Sequence, residues 1–301
     1  MASPSIKAVR MPGMSHRATL LLALCLSSSA LAQEADAPQA PVAEDLRDLS
    51  SARAYGMGGA WRALGSDAAT GTGNPASVAA VRGYRVEATG GWDWVGKDAA
   101  ATVAVADSAT SPLGAGISYQ LVTLGKGAAR TTAHLNTLAL AAPLSENLMI
   151  GVSGRYLVMR GGRQANALTM DAGVLLRPTP LLALGVSAHN LIDTKHAELT
   201  RYYSAHAGVL VGQLTIAADV RGDFATDARR TFTYSGGLEY VLGQNIPVRA
   251  GYTWDGFTRT SQAGVGIGVV TAGGGIDLGY HHDFGGEGGR LLSLTFKVQV
   301  R

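Results

Sequence analysis

Apolar and polar residues alternate along most of the chain after Tyr84, in runs that are separated by short turns. The last run is the clearest, with apolar residues at every second position from Leu292 to Val300 and Ser, Thr, Lys and Gln between them. Alternation with period two places the two sets of side chains on opposite faces of a β-strand. The pattern therefore predicts an all-β chain whose strands have one apolar and one polar face.

The alternation predicts about fourteen strands, and charged residues fall on the polar face of most of them. The predicted strands cover residues 84–94, 98–108, 113–124, 131–142, 148–159, 165–177, 181–192, 201–211, 214–222, 231–242, 246–254, 259–270, 275–284 and 291–300. A charge that faces lipid at mid-membrane costs about 2–4 kcal/mol, so this segregation suits a transmembrane antiparallel β-barrel. The alternative is a soluble β-sandwich or solenoid, and a sandwich would have fewer and less regular strands around one core.

The turns alternate in length, which supports the barrel independently. Turns 109–112, 143–147, 178–180, 212–213, 243–245 and 271–274 are tight, whereas 125–130, 193–200, 223–230 and 285–290 are longer and more charged. Bacterial outer-membrane barrels have short periplasmic turns and longer outer loops. Only 16% of the residues are charged, and the chain after its N-terminus has no apolar stretch of helical-span length, so a membrane protein of this sequence must be a barrel.

The N-terminus has the features of a secretory signal. Basic residues including Arg10 and Arg17 precede an apolar stretch over 18–32, and Ala30 and Ala32 fit the small-residue cleavage rule. Residues 1–32 are therefore predicted to be a signal peptide that is cleaved near Ala32, with a membrane anchor as the alternative, and 33–48 a flexible leader. The expected location is the outer membrane of a Gram-negative bacterium.

Charge and cysteine content exclude several functions. Without Lys7, Arg10 and Arg17 of the signal, 22 of the 25 basic residues remain, which equals the 22 acidic residues. A net charge near zero argues against nucleic acid as a partner. The single cysteine, Cys25, lies in the signal, so the predicted mature chain offers no disulfide or thiol chemistry.

Three short motifs lie in order before the first strand: 52–60 (ARAYGMGGA), 66–69 (SDAA) and 73–76 (GNPA). Together they resemble the N-terminal hatch of the FadL/PorV superfamily of outer-membrane barrels. The pieces 170–178, 184–191, 237–240 and 248–252 resemble its PorV/PorQ branch in particular. The resemblance covers residues 52–301 and implies a fourteen-stranded barrel, over 84–301, whose mouth holds a hatch over 49–83. Asp67 stands alone where the family often has two acids, and the chain ends without the usual terminal aromatic residue.

The hatch supplies the first set of candidate functional residues. Glycines there permit positive φ or close backbone approach, and Asn74 before Pro75 favours a turn. The candidates are Arg53, Tyr55, Gly56, Met57, Gly58, Gly59, Trp61, Asp67, Asn74 and Pro75. Two interpretations stay open: a gate that shapes a passage, or a plug that fills a lumen too wide for side chains alone.

Polar residues on the inner face form the second set. They are Arg155, Asp171, Arg177, His189, Asp219, Arg221, Glu239, Arg249, Asp277 and His281. They could line a polar path, but opposite charges on neighbouring strands commonly pair, and pairing that holds the hatch is the favoured interpretation, with Glu239 and Arg249 as one example.

Chemistry beyond transport is not indicated. His281 and His282 are adjacent on a strand and point to opposite faces, so they do not suit one metal ion. A barrel hydrolase that uses Ser153 or Ser187 with His189 is the minor alternative, because the sequence contains no G-x-S-x-G motif. No catalytic residue, metal or cofactor is predicted, and the protein is not expected to be an enzyme.

Aromatic residues near the strand ends are expected at the membrane interfaces. They are Trp92, Trp94, Tyr202, Tyr203, Tyr240, Tyr252, Trp254 and Phe257. The expected surroundings are outer-membrane lipid and lipopolysaccharide.

Two functions follow from the resemblance. The first is transport across the outer membrane, as a gated diffusion channel for hydrophobic small molecules. The alternative is a PorV-like barrel that conducts nothing and serves as a docking or assembly partner for secretion machinery.

Overall fold

The computed structural model describes residues 51–225, 231–256, 259–285 and 289–300. The predicted signal peptide, the leader, residues 49–50, Phe257 and Arg301 lie outside the described residues. The described part holds fourteen strands. They are β1 (Tyr84–Asp93), β2 (Asp98–Asp107), β3 (Gly114–Leu124), β4 (Thr131–Pro143), β5 (Leu148–Gly161), β6 (Ala165–Thr179), β7 (Leu182–His189), β8 (Tyr202–Val211), β9 (Leu214–Asp223), β10 (Thr231–Leu242), β11 (Ile246–Asp255), β12 (Thr260–Thr271), β13 (Gly274–Asp283) and β14 (Arg290–Val300).

Every strand pairs antiparallel with its neighbours in the chain, and β1 pairs with β14, so the sheet closes into a barrel. The closing register sets Tyr84 opposite Val300 and Asp93 opposite Leu291. Closure removes both sheet edges. The predicted fourteen-stranded antiparallel barrel is confirmed. Among the described residues, no helix is both long and apolar enough to cross a membrane.

The strand bounds differ most from the prediction at the end of β7. The alternation predicts strand to residue 192, but β7 ends at His189. Asn190 adopts a left-handed conformation with φ 55°, its backbone N–H donates to Asp171, and its side-chain amide donates to the carbonyl of Thr200. Asparagine tolerates this conformation better than most residues, and the turn diverts the chain into the connection 190–201.

The two faces of the wall differ as the alternation requires. Outward side chains such as Leu168, Ile117 and Val298 are 60%, 59% and 55% exposed. Inward residues of the same strands, such as Thr169 and Thr295, are buried. An apolar surface of this extent around a closed barrel is suited to lipid rather than water.

The two rims of the barrel differ in the length of their connections. One rim, here the short-turn rim, has two-residue connections at 180–181, 212–213 and 272–273. The other, the long-turn rim, has its longest connection at 190–201. Both termini of the barrel, at Tyr84 and Val300, lie at the short-turn rim.

Residues 51–83, here the luminal segment, lie inside the barrel. A short helix, Ala52–Gly56, begins at Ser51, whose hydroxyl accepts from the N–H of Ala54. Two 3₁₀ turns follow, Ala68–Thr72 and Pro75–Ala79. Asn74 caps the second through its side-chain oxygen, and Pro75 occupies the first position, where its missing N–H costs nothing. The segment is buried almost throughout.

A charge on the outer wall should destabilise the barrel according to depth. Leu278 faces outward at the middle of β13, opposite Leu294, whereas Thr123 faces outward next to the long-turn rim. We expect Leu278→Arg to lower the free energy of unfolding in bilayers by about 2–4 kcal/mol and Thr123→Arg by about 0–1 kcal/mol. Urea unfolding in lipid vesicles measures both. Equal losses would contradict the assignment of this face to lipid.

Candidate functional site in the barrel lumen

Six inward-facing glycines let the luminal segment lie directly against the wall, with its main chain at five of them and with the side chain of Asn74 at the sixth. They are Gly151, Gly173, Gly237, Gly251, Gly264 and Gly279, on β5, β6, β10, β11, β12 and β13, and are called here the wall glycines. A Cβ at any of them would overlap an atom of the segment, at Ala76, Asn74, Met57, Met57, Tyr55 and Ala52 respectively. Only glycine permits this approach, so the wall and the segment are matched along both flanks of the lumen.

The predicted hatch residues 55–61 form a buried part of the segment that packs against β10–β12. Tyr55, Met57 and Trp61 are 3%, 0% and 1% exposed. Gly58 and Gly59 have φ of 59° and 80°, in the left-handed region that favours glycine. Thr253 on β11 donates its hydroxyl to the carbonyl of Gly58. The turn is thereby held against the wall at the place where the wall glycines leave room for it, and Gly56 packs on Gly266.

A network of buried charges fastens the same segment. Here called the seam network, it contains Arg53 and Asp67 of the segment with Glu87, Glu239, Arg249, Asp277 and Lys297 of the wall. Arg53 binds both carboxylate oxygens of Glu239, with its Nη2 2.7 Å from Oε1 and its Nε 2.9 Å from Oε2. Arg249 lies 2.6 Å from Glu239 and 2.6 Å from Asp277.

Lys297 joins this network to the closing pair of strands. Its Nζ lies 2.8 Å from Asp277, 3.1 Å from Asp67 and 3.7 Å from Glu87, and Glu87 is its register partner across β1 and β14. Buried ion pairs contribute little net stability compared with apolar packing, but removal of one partner leaves a buried charge uncompensated. The network therefore makes closure of the barrel and placement of the segment depend on each other.

Asp67 is the charged centre of the segment. Burial alone would raise the pKa of its carboxyl, but Lys297 and Arg53 outweigh burial and hold the pKa below its usual range. Asp67 is thus ionised at neutral pH, and its negative charge is matched by two cations that reach it from different sides.

Two further contacts hold the segment at β6, β8 and β9. Arg62 lies 2.8 Å from Asp219 on β9, and Asn74 bridges to β6 and β8. Its Oδ1 accepts from Ala76, and its Nδ2 donates to Val174 and lies 2.8 Å from Nε2 of His206. Because Nδ2 can only donate, Nε2 of His206 acts as the acceptor.

Arg177 lies at the short-turn rim and is half-buried. It donates to the carbonyls of Leu64 and Ala80. Arg85, which is buried, donates likewise to Gly65 and Val78. Both arginines therefore bind main-chain carbonyls of the luminal segment.

Asp171 is the centre of a third cluster, on β5–β8. Arg155 and Nδ1 of His189 lie 3.7 and 3.4 Å from its carboxylate, and Ser153 donates to it. The hydroxyl of Ser187 lies 2.8 Å from Nε2 of His189, as a hydrolase would require, but it is buried beneath the carbonyl of Gly73, 3.2 Å away. The segment thus covers the nucleophile that a hydrolase would have to expose.

The expectation that Tyr202 lies among the aromatic residues of the membrane interface is wrong, because its side chain faces the lumen. It is 4% exposed and stacks on His189 with ring centroids 4.4 Å apart. Tyr203, its neighbour, faces outward because consecutive strand residues point to opposite faces.

Arg221 and His281 complete the predicted inner set. Arg221 is half-buried, with its Nη2 3.9 Å from Asp255 and its guanidinium over the ring of Tyr202. His281 packs against Tyr55 with ring centroids 6.0 Å apart. All ten predicted inner polar residues therefore lie on the inward face. Within the described ranges, no group of three or more His, Cys, Asp or Glu residues is placed to hold a metal ion.

An apolar region of the inner wall was not predicted. On β3–β6, near the long-turn rim, the inward side chains form one cluster, here the apolar lumen cluster: Val122, Leu124, Ala133, Leu135, Leu157, Met159, Ala165 and Ala167, joined by Leu199 of the 190–201 connection. Adjacent apolar pairs such as Leu157–Val158 were the available signal, since they break the alternation and mark strands that are apolar on both faces.

No family model and no curated protein matches the chain. Among solved structures, it is similar to the CymD monoaromatic hydrocarbon channel, at 14% identity and TM-score 0.64, over 84% of this chain and 98% of that one. It is also similar to the toluene transporter TbuX of Ralstonia pickettii, at 11% identity and TM-score 0.64, over 85% of this chain and 99% of that one. A third similar structure is a Pseudomonas aeruginosa FadL homologue, at 12% identity and TM-score 0.61, over 83% of this chain and 97% of that one.

At these identities the likeness establishes the fold. The chain has the fold of the FadL-type outer-membrane barrels. The finer resemblance to the PorV/PorQ branch stays a prediction.

The wall glycines give a sharp test of the packing. Gly237 faces inward, and its Cβ would overlap Met57, whereas at the adjacent Gly236, which faces outward, a Cβ would meet nothing within 4 Å. We expect Gly237→Val to displace the segment and lower the thermal midpoint by several degrees, and Gly236→Val to leave both unchanged.

The substitution Ser77→Cys, at a fully buried position, reports the displacement. It is combined with Cys25→Ser so that the new cysteine is the single thiol of the whole chain. Maleimide should label it quickly in the Gly237→Val protein and slowly in the Gly236→Val protein. Slow labelling in both would show that the segment does not depend on this contact.

We expect Asp67 to make the free energy of unfolding depend on pH in the acidic range. Because its pKa is lowered on folding, its contribution is present at neutral pH and is lost as pH falls below its usual pKa of about 3.9. We expect Asp67→Asn to lower the free energy of unfolding at pH 7 by about 3 kcal/mol and to reduce the stability loss between pH 5 and pH 3.

Thermal unfolding in detergent micelles measures this effect, with the exposed Glu146→Gln as control. The control should follow the unsubstituted protein at both pH values. An Asp67→Asn protein that is as stable as the control at pH 7 would contradict the role of the network.

Proposed function

We propose that the protein is an outer-membrane channel for small hydrophobic molecules, with the luminal segment as its hatch. The observation that carries the proposal is the apolar lumen cluster, which lies in a lumen whose wall elsewhere carries many buried polar and charged side chains. A channel for polar solutes would not require an apolar region in its lumen. A hydrophobic solute, in contrast, is stabilised when it leaves water for such a region. The fold it shares with barrels described as monoaromatic hydrocarbon channels and toluene transporters supports a cargo of this class.

The position of the cluster supports entry from the long-turn rim, which we assign to the cell exterior because outer-membrane barrels carry their longer loops there. Leu199 brings the connection 190–201 onto the cluster. This connection also covers the wall beyond the end of β7, where Leu191 donates to the carbonyl of Met170 and Thr169 donates to Ile192. A solute in the cluster would thus lie between irregular chain on one side and the hatch below.

Passage further inward requires the hatch to move. At the wall glycines there is no room between the segment and the wall at β5, β6 and β10–β13. In this proposal the hatch opens on the side of β2–β4, where it packs on the small side chains of Ala104, Ala106, Ala139 and Ala141, and not at β1, where Arg85 donates to the carbonyls of Gly65 and Val78.

A second candidate is supported by the same wall glycines. A lumen that is filled by tightly fitted main chain suits a non-conducting barrel, which would act as a docking or assembly partner in secretion, as in the PorV-like alternative. The two proposals differ in whether a hydrophobic solute crosses the reconstituted protein.

Transport of toluene into proteoliposomes tests the channel. We expect uptake above protein-free vesicles, a reduction of about tenfold in Leu157→Gln, which places an amide in the apolar lumen cluster, and near-normal uptake in the volume-conserving Leu157→Met.

Single-channel conductance, with and without residues 49–82, is the companion measurement. The channel proposal expects closed traces from the full chain and open ones after deletion. No toluene uptake by the full chain and closed traces in both proteins would favour the docking partner, provided that a heat-dependent gel shift shows both barrels folded.

A further inference from the structure

The outer surface over β3–β5 is unlike the rest of the outer wall. Over β8–β13, near the long-turn rim, aromatic side chains form a contact series in which Tyr203, Phe224, Phe232, Tyr234 and Trp254 follow one another at centroid distances of 5.9–6.3 Å. Such residues normally occupy the lipid interface. The described residues of β3–β6 include no tryptophan or phenylalanine, and beside the two tyrosines Tyr119 and Tyr156 their outer face carries His134 and Asn136.

The first part of this surface is a cationic patch on the rim. The connections after β1, β3 and β5 carry Lys97, Lys126, Arg130 and Arg163, and Arg160 faces outward at the end of β5; these five are called here the rim cations, and all are exposed. The three connections are joined by hydrogen bonds: Lys126 donates to Val95, and Gly162 donates to the carbonyl of Arg130. The cations therefore belong to one continuous surface.

Two of the three acids near this patch, Asp93 and Asp98, accept hydrogen bonds from backbone N–H groups. Asp93 is buried and accepts from the backbone of Val95, Gly96 and Arg290. Asp98 accepts from Gly125 at 2.7 Å. Glu198 is mostly buried and pairs with one of the rim cations, Arg163, at 3.4 Å, which leaves the other four without an ion pair to the described acids. The exposed surface of the patch is consequently positive.

The second part lies below the patch on the lipid face and is called here the polar column: Tyr119, His134, Asn136 and Tyr156. Asn136 lies opposite both Tyr119 on β3 and Tyr156 on β5, and the Tyr119 hydroxyl lies 2.8 Å from Nδ1 of His134. Asn136 is exposed, and no described residue forms a hydrogen bond with its amide. An unpaired amide that faces hydrocarbon is costly, so a ligand that pairs with it would relieve that cost.

We propose that the rim cations and the polar column together bind the phosphorylated headgroup of an anionic glycolipid of the outer leaflet. Phosphate is matched by exposed arginine and lysine at the rim. Hydroxyl, amide and ester groups, which connect such a headgroup to its acyl chains, lie below the phosphate and are matched by the polar column. The proposal rests on the outer-membrane location in the proposed function, with the long-turn rim outward, but not on the transported cargo.

A pair of double variants tests the patch. We expect Arg130→Gln with Arg160→Gln to weaken binding of lipopolysaccharide to the full mature protein in phosphatidylcholine nanodiscs by roughly tenfold. Lys195→Gln with Arg259→Gln removes two exposed cations of the same rim outside the patch and should change binding less than about twofold. Equal losses in the two double variants would overturn the proposal in favour of general charge attraction.

Asn136→Leu tests the column, because its two effects have opposite signs. In phosphatidylcholine alone it should raise the free energy of unfolding, since an unpaired amide leaves the lipid face, and it should weaken lipopolysaccharide binding several-fold. Unchanged lipopolysaccharide binding would overturn the role of the column. A heat-dependent gel shift verifies that each variant is folded.

Competition identifies the ligand. Lipopolysaccharide should displace a fluorescent derivative of itself, dephosphorylated lipopolysaccharide should do so poorly, and inorganic phosphate at millimolar concentration should not. Displacement by inorganic phosphate would reduce the site to a simple anion site and overturn the proposal, as would capture of a membrane protein by this face with lipopolysaccharide binding unaffected by the variants. Toluene uptake in glycolipid-free vesicles is measured separately, so a failed channel and a failed glycolipid site give different results.

Discussion

The structure depends on close contact between the main chain of residues 51–83 and the inward glycines of the barrel wall. A barrel of fourteen strands is too wide for side chains alone to fill its lumen. This chain fills the lumen with folded backbone, and the wall glycines permit an approach that any side chain would block. Its many glycines therefore serve packing in the lumen as well as turns.

Backbone contact has no charge and little directional preference, so something else must fix the register of the segment. The seam network does this, because Arg53 and Asp67 can each satisfy their partners on the wall in one placement only. Since Lys297 and Glu87 lie on the two strands that close the barrel, placement of the segment and closure belong to one arrangement. Of the two interpretations weighed for the inner charges, their geometry favours pairing over a polar path.

The regular part of the molecule was predictable from sequence and the irregular part was not. Strand β14 could be placed because period-two alternation is unbroken from Leu292 to Val300. The end of β7 could not, because it depends on a left-handed turn at Asn190 that is held by Asp171, far away in sequence. The seam network could not be predicted as a whole, because it depends on the register of five strands and on the placement of the luminal segment; only the pair Glu239–Arg249, on neighbouring strands, was predicted.

The apolar lumen cluster shows a different limit of prediction from sequence. Alternation assigns each strand one lipid face and one polar face, so an inner wall that is itself apolar looks like a weak strand. Leu135 and Leu157 face inward together only because β4 and β5 pair in register, with Leu135 opposite Leu157. Position across strands, rather than along one strand, creates the region on which the proposed transport depends.

Hydrogen–deuterium exchange of the luminal segment, in the full mature protein in lipid nanodiscs, tests the central claim most directly. If residues 52–80 are packed as folded backbone against the wall, their amides should exchange orders of magnitude more slowly than those of an unfolded chain, and at rates close to those of the barrel strands. Exchange of residues 52–80 at the rate of an unfolded chain, with the strands protected, would contradict the account.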